Sequence, residues 1–351
     1  MTEEIKPIQS QPIIPMNLHI IYTPFTGTGL SGGFRGNEWF KHRIEIFKNY
    51  TLKSLSNQSN KNFLYWISFR PEEKGHPLVD ELYEHMKTVD LNYAFTFDGL
   101  MYHDDKFSDY SLKTKLRNFL MMLLACKRNR KMRPLKELWK HTWDNKNETL
   151  LARLDRSLEV FRGLLVKELP YYQWVYLTRI DSDDMFHKEA MALIQSQKPE
   201  YKRSLVFTDG YIYNINTGQL AEWKPTTNPP FHTITFPAYH FFDALSHKEY
   251  YGDFRTHEDA TRVFNPIQMD MGKYMVLYHQ KHIGTNWNEP IEKRLYRKLK
   301  RQKGYCYTTS GKNISTYWNS DSRGTLNPFI GKEFTNEEEK KEILKDFGIE
   351  N

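Results

Sequence analysis

A buried strand that ends in a dense group of carboxylates constrains this chain more than any other feature. Residues 174–177 (Trp-Val-Tyr-Leu) are aromatic and β-branched, which predicts a strand covered on both faces. Three of the four residues 181–184 that follow are acidic. Parallel strands of α/β proteins bind ligands at their carboxyl ends. Carboxylates this close repel unless a cation or hydrogen-bond donors offset them, and a hard divalent ion holding a diphosphate would do so.

The same acidic stretch also suits the start of a helix. Asp and Ser are good N-caps, and residues 185–194 have a helical pattern. A short acidic stretch by itself does not decide between a ligand site and a capped helix.

The chain before this stretch alternates strands with helices. Residues 18–22, 62–69 and 92–97 have strand patterns. Asn37 can cap a helix that runs to about residue 56, with Phe40, Ile44 and Phe47 on one face. Strand, helix and strand joined by short links predict a parallel sheet.

Further strands are expected towards the carboxyl terminus. Residues 204–208 and 211–213 look like a hairpin at the edge of the sheet, and residues 273–278 form a last strand. Thr335 and Glu338 have the spacing of a capping box, which predicts a final helix. The predicted organisation is a flexible tail (1–16), a main α/β domain (17–290) with a helical insertion (109–170), and a basic, helical extension (291–351).

The glycine-rich residues 27–33 match the spacing G-x-G-x-x-G of dinucleotide-binding turns. Pro24 interrupts the strand before the glycines, and the next strand ends in Arg70 rather than in an acid at the expected distance. A flexible loop over a ligand is therefore the favoured interpretation.

The net charge of +7 is unevenly distributed. Residues 113–140 contain ten Lys or Arg and only Glu137 as an acid, and residues 293–303 add seven more basic residues without an acid. The insertion can be a helical unit with a solvated basic face, or a surface that docks on anionic lipid headgroups. Basic blocks with aromatic residues also occur in nucleic-acid-binding proteins, but the sequence contains no recognisable nucleic-acid-reading motif.

The sequence favours a cytoplasmic protein with the insertion as a candidate peripheral contact with a membrane. No signal segment opens the chain, and the longest apolar run, residues 119–126, is too short to cross a bilayer. Cys126 and Cys306 are too far apart for a metal-binding pattern, and two distant cysteines do not make a disulfide framework.

The order of these pieces resembles a nucleotide-sugar-dependent glycosyltransferase of the A-type fold, and more narrowly the bacterial rhamnosyltransferase family. The resemblance spans about residues 18–287 and rests on the opening strand at 19–23, the helix at 47–55, the next strand, and the acidic signature Thr-Arg-Ile-Asp-Ser-Asp-Asp at 178–184. It implies a GT-A-like α/β fold, in which helices flank a mostly parallel central sheet. It also implies a metal-dependent, inverting transfer of a sugar, with rhamnose suggested by the family, to a glycan or lipid-linked hydroxyl.

The resemblance implies roles for individual residues. Asp181 approaches the ribose of the donor, Asp183 binds Mg²⁺ or Mn²⁺, and Asp184 assists the metal directly or through water. His279 or His282 could add a nitrogen ligand, which suits Mn²⁺, although each can equally be a hydrogen-bonded structural residue. The expected donor-binding residues are Thr23, Asp98, Arg179 and Asp181.

An acceptor hydroxyl needs a general base. Asp259 is the candidate and Glu258 the alternative, because this acidic pair comes where inverting A-type enzymes carry their base. Both can instead be helix-start carboxylates that offset the helix dipole. A nucleic-acid-binding protein and a non-catalytic sugar- or lipid-binding module remain the alternative functions.

Overall fold

The computed structural model describes residues 16–25, 37–70, 73–97, 150–165, 171–223, 231–252, 257–279 and 330–349, with a few isolated positions besides. The strands are β1 (Met16–Pro24), β2 (Leu64–Ser68), β3 (Asn92–Thr96), β4 (Tyr172–Arg179), β5 (Asp184–Phe186), β6 (Arg203–Val206), β7 (Gly210–Asn214), β8 (Gln219–Trp223), β9 (His232–Pro237), β10 (Asn265–Gln268), β11 (Tyr274–Tyr278) and β12 (Ile330–Phe334).

The helices lie between these strands. They are α1 (Asn37–Ile46), α2 (Leu52–Ser56), α3 (Pro77–Met86), α4 (Leu150–Leu165), α5 (Ala190–Ser196), α6 (Ala238–Phe242), α7 (Ala244–Tyr251) and α8 (Glu337–Asp346). A π-helical turn, Phe47–Thr51, joins α1 to α2, and a 3₁₀ turn, His257–Ala260, precedes β10.

A seven-stranded sheet with the order β10-β6-β9-β4-β1-β2-β3 forms the centre of the described chain. Strands β3, β2, β1 and β4 are mutually parallel, and only β9 runs against its neighbours β4 and β6. The predicted fold class, a mostly parallel α/β sheet flanked by helices, is confirmed. The chain moves from β1 outward to β2 and β3 and then returns to the other side of β1 as β4. The carboxyl ends of β1 and β4 therefore meet at a topological switch point.

The sequence did not predict a second sheet of five strands, ordered β12-β8-β7-β11-β5. The expected hairpin of residues 204–208 and 211–213 is wrong, because β6 and β7 lie in different sheets and β7 pairs with β8 instead. Gly218, at a φ of +72°, allows the tight β7–β8 turn. At Gly210 a Cβ atom would lie 2.6 Å from the Tyr274 carbonyl oxygen, so β7 needs glycine where it approaches β11.

Three apolar clusters hold these layers together. Ile20 and Tyr22 of β1 face a cluster with α4 and α7, whereas Ile21 faces the opposite side, towards α1, α3, α5 and the second sheet. The third cluster covers the other face of the second sheet with α8. The alternation along β1 is what a strand buried on both faces requires.

Residues 330–349, which the sequence assigns to the carboxyl-terminal extension, are built into the second sheet. Strand β12 pairs antiparallel with β8, and Phe347 is fully buried in the third cluster. The final helix is confirmed, but its cap is Asn336 rather than Thr335. The Asn336 side chain accepts hydrogen bonds from the backbone N–H groups of Glu338 and Glu339, at 2.9 and 3.1 Å.

Several expectations fall outside the described residues: the amino-terminal tail, the glycine-rich loop at 27–33, most of the basic insertion and the basic residues 293–303. Within the insertion, α4 is described and confirms its helical character over residues 150–165. In the part of the chain that the structure describes, no helix is long and apolar enough to cross a membrane.

Candidate functional site

The acidic stretch lies at the carboxyl edge of the seven-stranded sheet, beside the switch point. Arg179 pairs with Tyr22 of β1, and the next residue, Ile180, donates its N–H to the Tyr22 carbonyl at 3.0 Å. The chain then makes a tight turn, in which the N–H of Asp184 donates to the carbonyl of Asp181 at 3.2 Å.

After this turn the chain enters the second sheet as β5, which pairs antiparallel with β11. The alternative of a capped helix starting at residue 185 is therefore wrong, since α5 begins only at Ala190. The acidic turn is the junction between the two sheets.

Thr23 of β1 fixes the position of this turn through a hydrogen bond to the residue just before it. Its hydroxyl donates to the Ile180 carbonyl at 3.0 Å, so the 2.9 Å bond with the Tyr65 hydroxyl must be donated by Tyr65. Thr23 is fully buried. Its contacts are those of a residue that positions the acidic turn, and its predicted contact with a donor stays a prediction.

Asp181 and Arg179 form a partly exposed pair at the edge. Arg179 Nε and Nη2 both donate to Asp181 Oδ1, at 3.2 and 3.1 Å. The Arg179 side chain is 12% exposed and that of Asp181 34% exposed. The structure thus brings together two of the predicted donor-binding residues, with the carboxylate reachable from solvent.

Asp183 has a different environment, because it is buried against Arg43 and His279. The Arg43 guanidinium makes an ion pair with Asp183 Oδ2, and His279 Nε2 lies 3.0 Å from the same oxygen. The Arg43 side chain is 2% exposed and that of Asp183 7% exposed. Arg43 also stacks its charge against the Trp39 ring, 5.3 Å from the ring centroid. Three distant segments, α1, the acidic turn and the end of β11, therefore meet at one carboxylate oxygen.

The sequence reasoning missed Arg43, although a signal was present. Arg43 falls between Phe40, Ile44 and Phe47 in an i, i+3, i+4, i+7 pattern, and so lies on the face that α1 buries. A cation on the apolar face of a helix requires a buried partner, because an unpaired buried charge is very unfavourable. The predicted partner would have been one of the acids in the dense group at 181–184.

Burial and like charge shift the titration of the surrounding groups. Burial, reinforced by the neighbouring Asp183 and Asp181 charges, raises the pKa of the Asp184 carboxyl well above its usual value, although Arg43 and a hydrogen bond from the Leu277 backbone oppose the shift. Burial also lowers the pKa of His279, against the opposing hydrogen bond to Asp183. His279 is therefore neutral near pH 7.

The predicted metal ligands do not fit a divalent ion as they are arranged here. Within the described ranges, no three His, Cys or carboxylate side chains form a group that could hold one metal ion. Asp183 Oδ2 already receives Arg43 and His279, and the Nε2 of His279 is engaged in that contact. Asp184 lies beside them with its Oδ1 fully buried. Metal binding by Asp183, Asp184 and His279 stays a prediction.

The candidate base lies on the other face of the sheet from Arg43. Asp259 is part of the 3₁₀ turn, and the next residue, Ala260, is buried in the same cluster as Tyr22. Arg262 Nε and Nη2 each approach Asp259 Oδ1 at 2.8 Å. The backbone of Glu258 belongs to the same turn, and its side chain lies outside the described set. Asp98 and His282 also fall outside the described residues.

A cavity of about 570 Å³ opens at the opposite, amino edge of the sheet. It is lined by neutral amide, aromatic and aliphatic side chains, among them Asn17, Phe63, Tyr93 and Gln195, together with His19. Burial lowers the pKa of His19 to about 3, so this imidazole is uncharged at neutral pH. The described carboxylates predicted to bind ligand, Asp181, Asp183 and Asp184, are at the other edge.

The chain was compared with protein families, curated protein sequences and solved structures. No protein-family model and no curated protein sequence matches the chain. Among solved structures, a crystal structure of S. aureus TarS (1–349) is similar with 12% sequence identity and a TM-score of 0.31. The similar region covers 75% of this chain and 60% of the TarS chain, so it spans less than two thirds of that chain. A likeness at this TM-score does not establish a relationship.

Proposed function

We propose that the chain is a glycosyltransferase that takes its sugar from a nucleotide-sugar donor bound at the carboxyl edge between β1 and β4. The observation that carries the proposal is the position of the Asp181–Arg179 pair, which lies at the switch point of a parallel sheet. Ligands of open α/β sheets bind at this point because the outgoing loops diverge there and leave a crevice.

The two residues of this pair suit the ribose and the diphosphate of a nucleotide sugar. The Asp181 carboxylate accepts hydrogen bonds, and ribose hydroxyls donate them. Arg179 provides a fixed positive charge for the diphosphate, and a guanidinium binds phosphate oxygens in pairs. Because Asp181 Oδ1 holds both Arg179 nitrogens, the two side chains present one preformed surface to the donor.

The transfer itself is a displacement at the anomeric carbon. The acceptor oxygen forms a bond to that carbon, the bond to the diphosphate oxygen breaks, and the acceptor proton passes to a base. We assign Asp259 as that base, with Glu258 as the alternative, which makes the reaction inverting. Rhamnose stays the sugar suggested by the sequence resemblance.

The direct test is a thermal-shift screen of the full chain with UDP-, GDP-, dTDP- and CMP-sugars, each with Mn²⁺ and with EDTA. A donor at about 100 times its Kd stabilises the fold by roughly 2.7 kcal/mol. We expect one nucleotide class to raise Tm and to be hydrolysed slowly to free sugar. If none of the four classes shifts Tm in either condition, the proposal fails.

The base is tested with Asp259→Asn and Glu258→Gln. Loss of the base should lower turnover by roughly 10²–10⁴-fold while donor affinity stays unchanged, since the base acts on the acceptor proton. We expect this result for Asp259→Asn and a milder one for Glu258→Gln. Normal turnover in both variants would remove this turn from the mechanism.

We propose a glycan or lipid-linked hydroxyl as the acceptor, and contact of the basic insertion with an anionic membrane surface. Val160 and Leu164, one turn apart on the described helix of the insertion, are 38% and 56% exposed, and such apolar side chains can enter a membrane surface. Lys/Arg→Glu changes at residues 127–136 should weaken sedimentation with anionic liposomes and leave donor hydrolysis unchanged. If the wild-type protein does not sediment with such liposomes at low salt, the membrane contact is contradicted.

A further inference from the structure

We propose that Arg43 occupies the place of a divalent cation beside Asp183, and that this chain therefore binds a nucleotide diphosphate without Mg²⁺ or Mn²⁺. The part of the proposal that concerns the diphosphate rests on the proposed function. The part that concerns Arg43 and Asp183 rests on the described contacts alone.

The first argument is the position of the guanidinium. Arg43 is almost fully buried, yet it comes from a helix whose other buried residues, Phe40 and Ile44, are apolar. Its ion pair is with Asp183, the carboxylate for which the sequence predicts a metal. A buried cation that meets the central acid of the turn offsets the negative charge of that acid, as a metal ion bound there would.

The second argument is that two of the three acids of the turn, Asp181 and Asp183, each already have an arginine partner. Arg179 holds Asp181 at the exposed side of the turn, and Arg43 holds Asp183 at the buried side. The turn therefore presents no net excess of ionised carboxylates from these two residues. A hard cation gains its affinity from uncompensated carboxylate oxygens, and each of these two carboxylates already carries a guanidinium on one oxygen.

The third argument is what a metal would have to displace. To reach Asp183 Oδ2, an ion must remove both Arg43 and His279 from that oxygen. Arg43 would then be a buried, unpaired cation next to a doubly charged one, against the packed Trp39 ring. Both the repulsion and the lost ion pair oppose metal entry. Arg43 is thus a positioning residue, since it acts through Asp183 rather than on the donor.

The test measures Mn²⁺ binding to the full chain by titration calorimetry and by electron paramagnetic resonance, without any donor. We expect no saturable Mn²⁺ binding by the wild type at millimolar ion concentrations. Arg43→Gln frees Asp183 beside Asp184, and it should bind Mn²⁺ at least about tenfold more tightly, which is about 1.4 kcal/mol. Arg203→Gln is the matched control, because Arg203, the first residue of β6, pairs with Glu200 away from the acidic turn. It should behave as the wild type.

A double variant locates the new site. Adding Asp183→Asn to Arg43→Gln should abolish the gained Mn²⁺ binding. Saturable Mn²⁺ binding by the wild type that is lost in Asp183→Asn overturns the proposal, as does an Arg43→Gln protein that folds and gains no Mn²⁺ affinity. If Arg43→Gln does not fold, Arg43→Lys and the wild type decide. Both should stay without a Mn²⁺ site, because both keep the positive charge.

A nucleotide arm separates this inference from the proposed function. Affinities of UDP, GDP, dTDP and CMP are measured with EDTA and with Mn²⁺. We expect the nucleotide that binds to do so equally in both conditions. Binding only in the presence of Mn²⁺ overturns the role of Arg43 and leaves the glycosyltransferase proposal standing. If no nucleotide binds in either condition, the proposed function fails, and the Mn²⁺ titrations still decide the role of Arg43.

Discussion

Two arginine–aspartate pairs stand within one short turn, and their difference lies in burial. Arg43 and Asp183 are 2% and 7% exposed, and come from segments 140 positions apart in the chain. Arg179 and Asp181 are 12% and 34% exposed, and are two positions apart. The first pair joins α1 to the junction of the two sheets, whereas the second lies at the carboxyl edge where a ligand can reach it.

This contrast shows that residue type alone does not assign a role to an acid. Exposed ion pairs contribute about 0–1 kcal/mol to stability, because water solvates both charges in the unfolded and the folded state. A buried pair is different, since removing one partner leaves the other uncompensated in a medium of low polarity. Asp183 should therefore matter for folding, and Asp181 for the donor.

The largest expected effect is on stability at the buried pair. Asp183→Asn should lower the free energy of unfolding by about 3–5 kcal/mol, because Arg43 loses its counter-charge in the interior. Asp181→Asn should lower it by clearly less, because the Asp181 carboxylate is 34% exposed and water can solvate the charge that Arg179 retains. Urea denaturation followed by circular dichroism measures both. Equal losses for the two variants would show that the difference in burial has no energetic consequence.

The second prediction concerns donor affinity, for which the larger effect is expected at Asp181 rather than at Asp183. Asp181→Asn should weaken binding of the nucleotide sugar by about 10–100-fold, since hydrogen bonds to a charged group contribute roughly 1.5–3 kcal/mol. Asp90→Asn is the matched control, as its side chain is 95% exposed and pairs with Lys61. Calorimetric titration of each variant measures the affinity. Unaltered affinity in Asp181→Asn would move the donor away from this edge.

The third prediction takes the comparison to the interior of the sheet, where His19 is buried and no charged partner is found for it among the described residues. Gln195 Nε2 donates to His19 Nδ1 at 2.9 Å, so His19 Nε2 donates to Thr178 Oγ1 at 2.7 Å, and Thr178 in turn bonds Thr233 at 2.6 Å. A proton on Nδ1 would face the Gln195 amide donor. Burial lowers the pKa of His19 to about 3 in the folded chain.

The sign of the resulting pH dependence follows from this depressed pKa. Below about pH 6.5 the unfolded chain takes up a proton on His19 that the folded chain refuses until about pH 3. The free energy of unfolding should therefore decrease as the pH is lowered from 6.5 towards 3. At pH 5 the loss from His19 alone is roughly 2 kcal/mol. In His19→Gln the slope of unfolding free energy against pH should become shallower. His247, whose pKa burial lowers to about 4, retains part of it. An unchanged slope in His19→Gln would contradict the assignment.

The smallest effect is expected at a pair on the surface. Lys61 and Asp90 are 41% and 95% exposed, with Nζ and Oδ2 3.2 Å apart. Lys61→Gln should change the free energy of unfolding by less than about 0.5 kcal/mol. Urea denaturation at low and high salt measures the difference. A loss comparable to that of Asp183→Asn would break the relation between burial and energy on which the comparison depends.

Periodicity along the chain predicted the local elements near the site well. The buried strand before the acids is β4, the opening strand is β1, and the parallel arrangement of β1, β2 and β3 is confirmed. These features depend on residues close together in sequence, whose apolar spacing sets the type of element. The position of Asp181 at a carboxyl edge follows from the same local pattern.

The tertiary structure decided what local patterns do not contain. It divided β6 and β7 between two sheets, because strand pairing depends on partners such as β9 and β11 that are remote in the chain. It moved the cap of the last helix to Asn336, where the backbone direction lets the side chain reach two N–H groups. It placed Arg43 on Asp183, because only the packing of α1 beneath the second sheet brings these residues together. The sequence by itself determined that the turn carries a dense negative charge, and the packing of distant segments determined which cation meets it, since burial makes the charge of Asp183 intolerable without one.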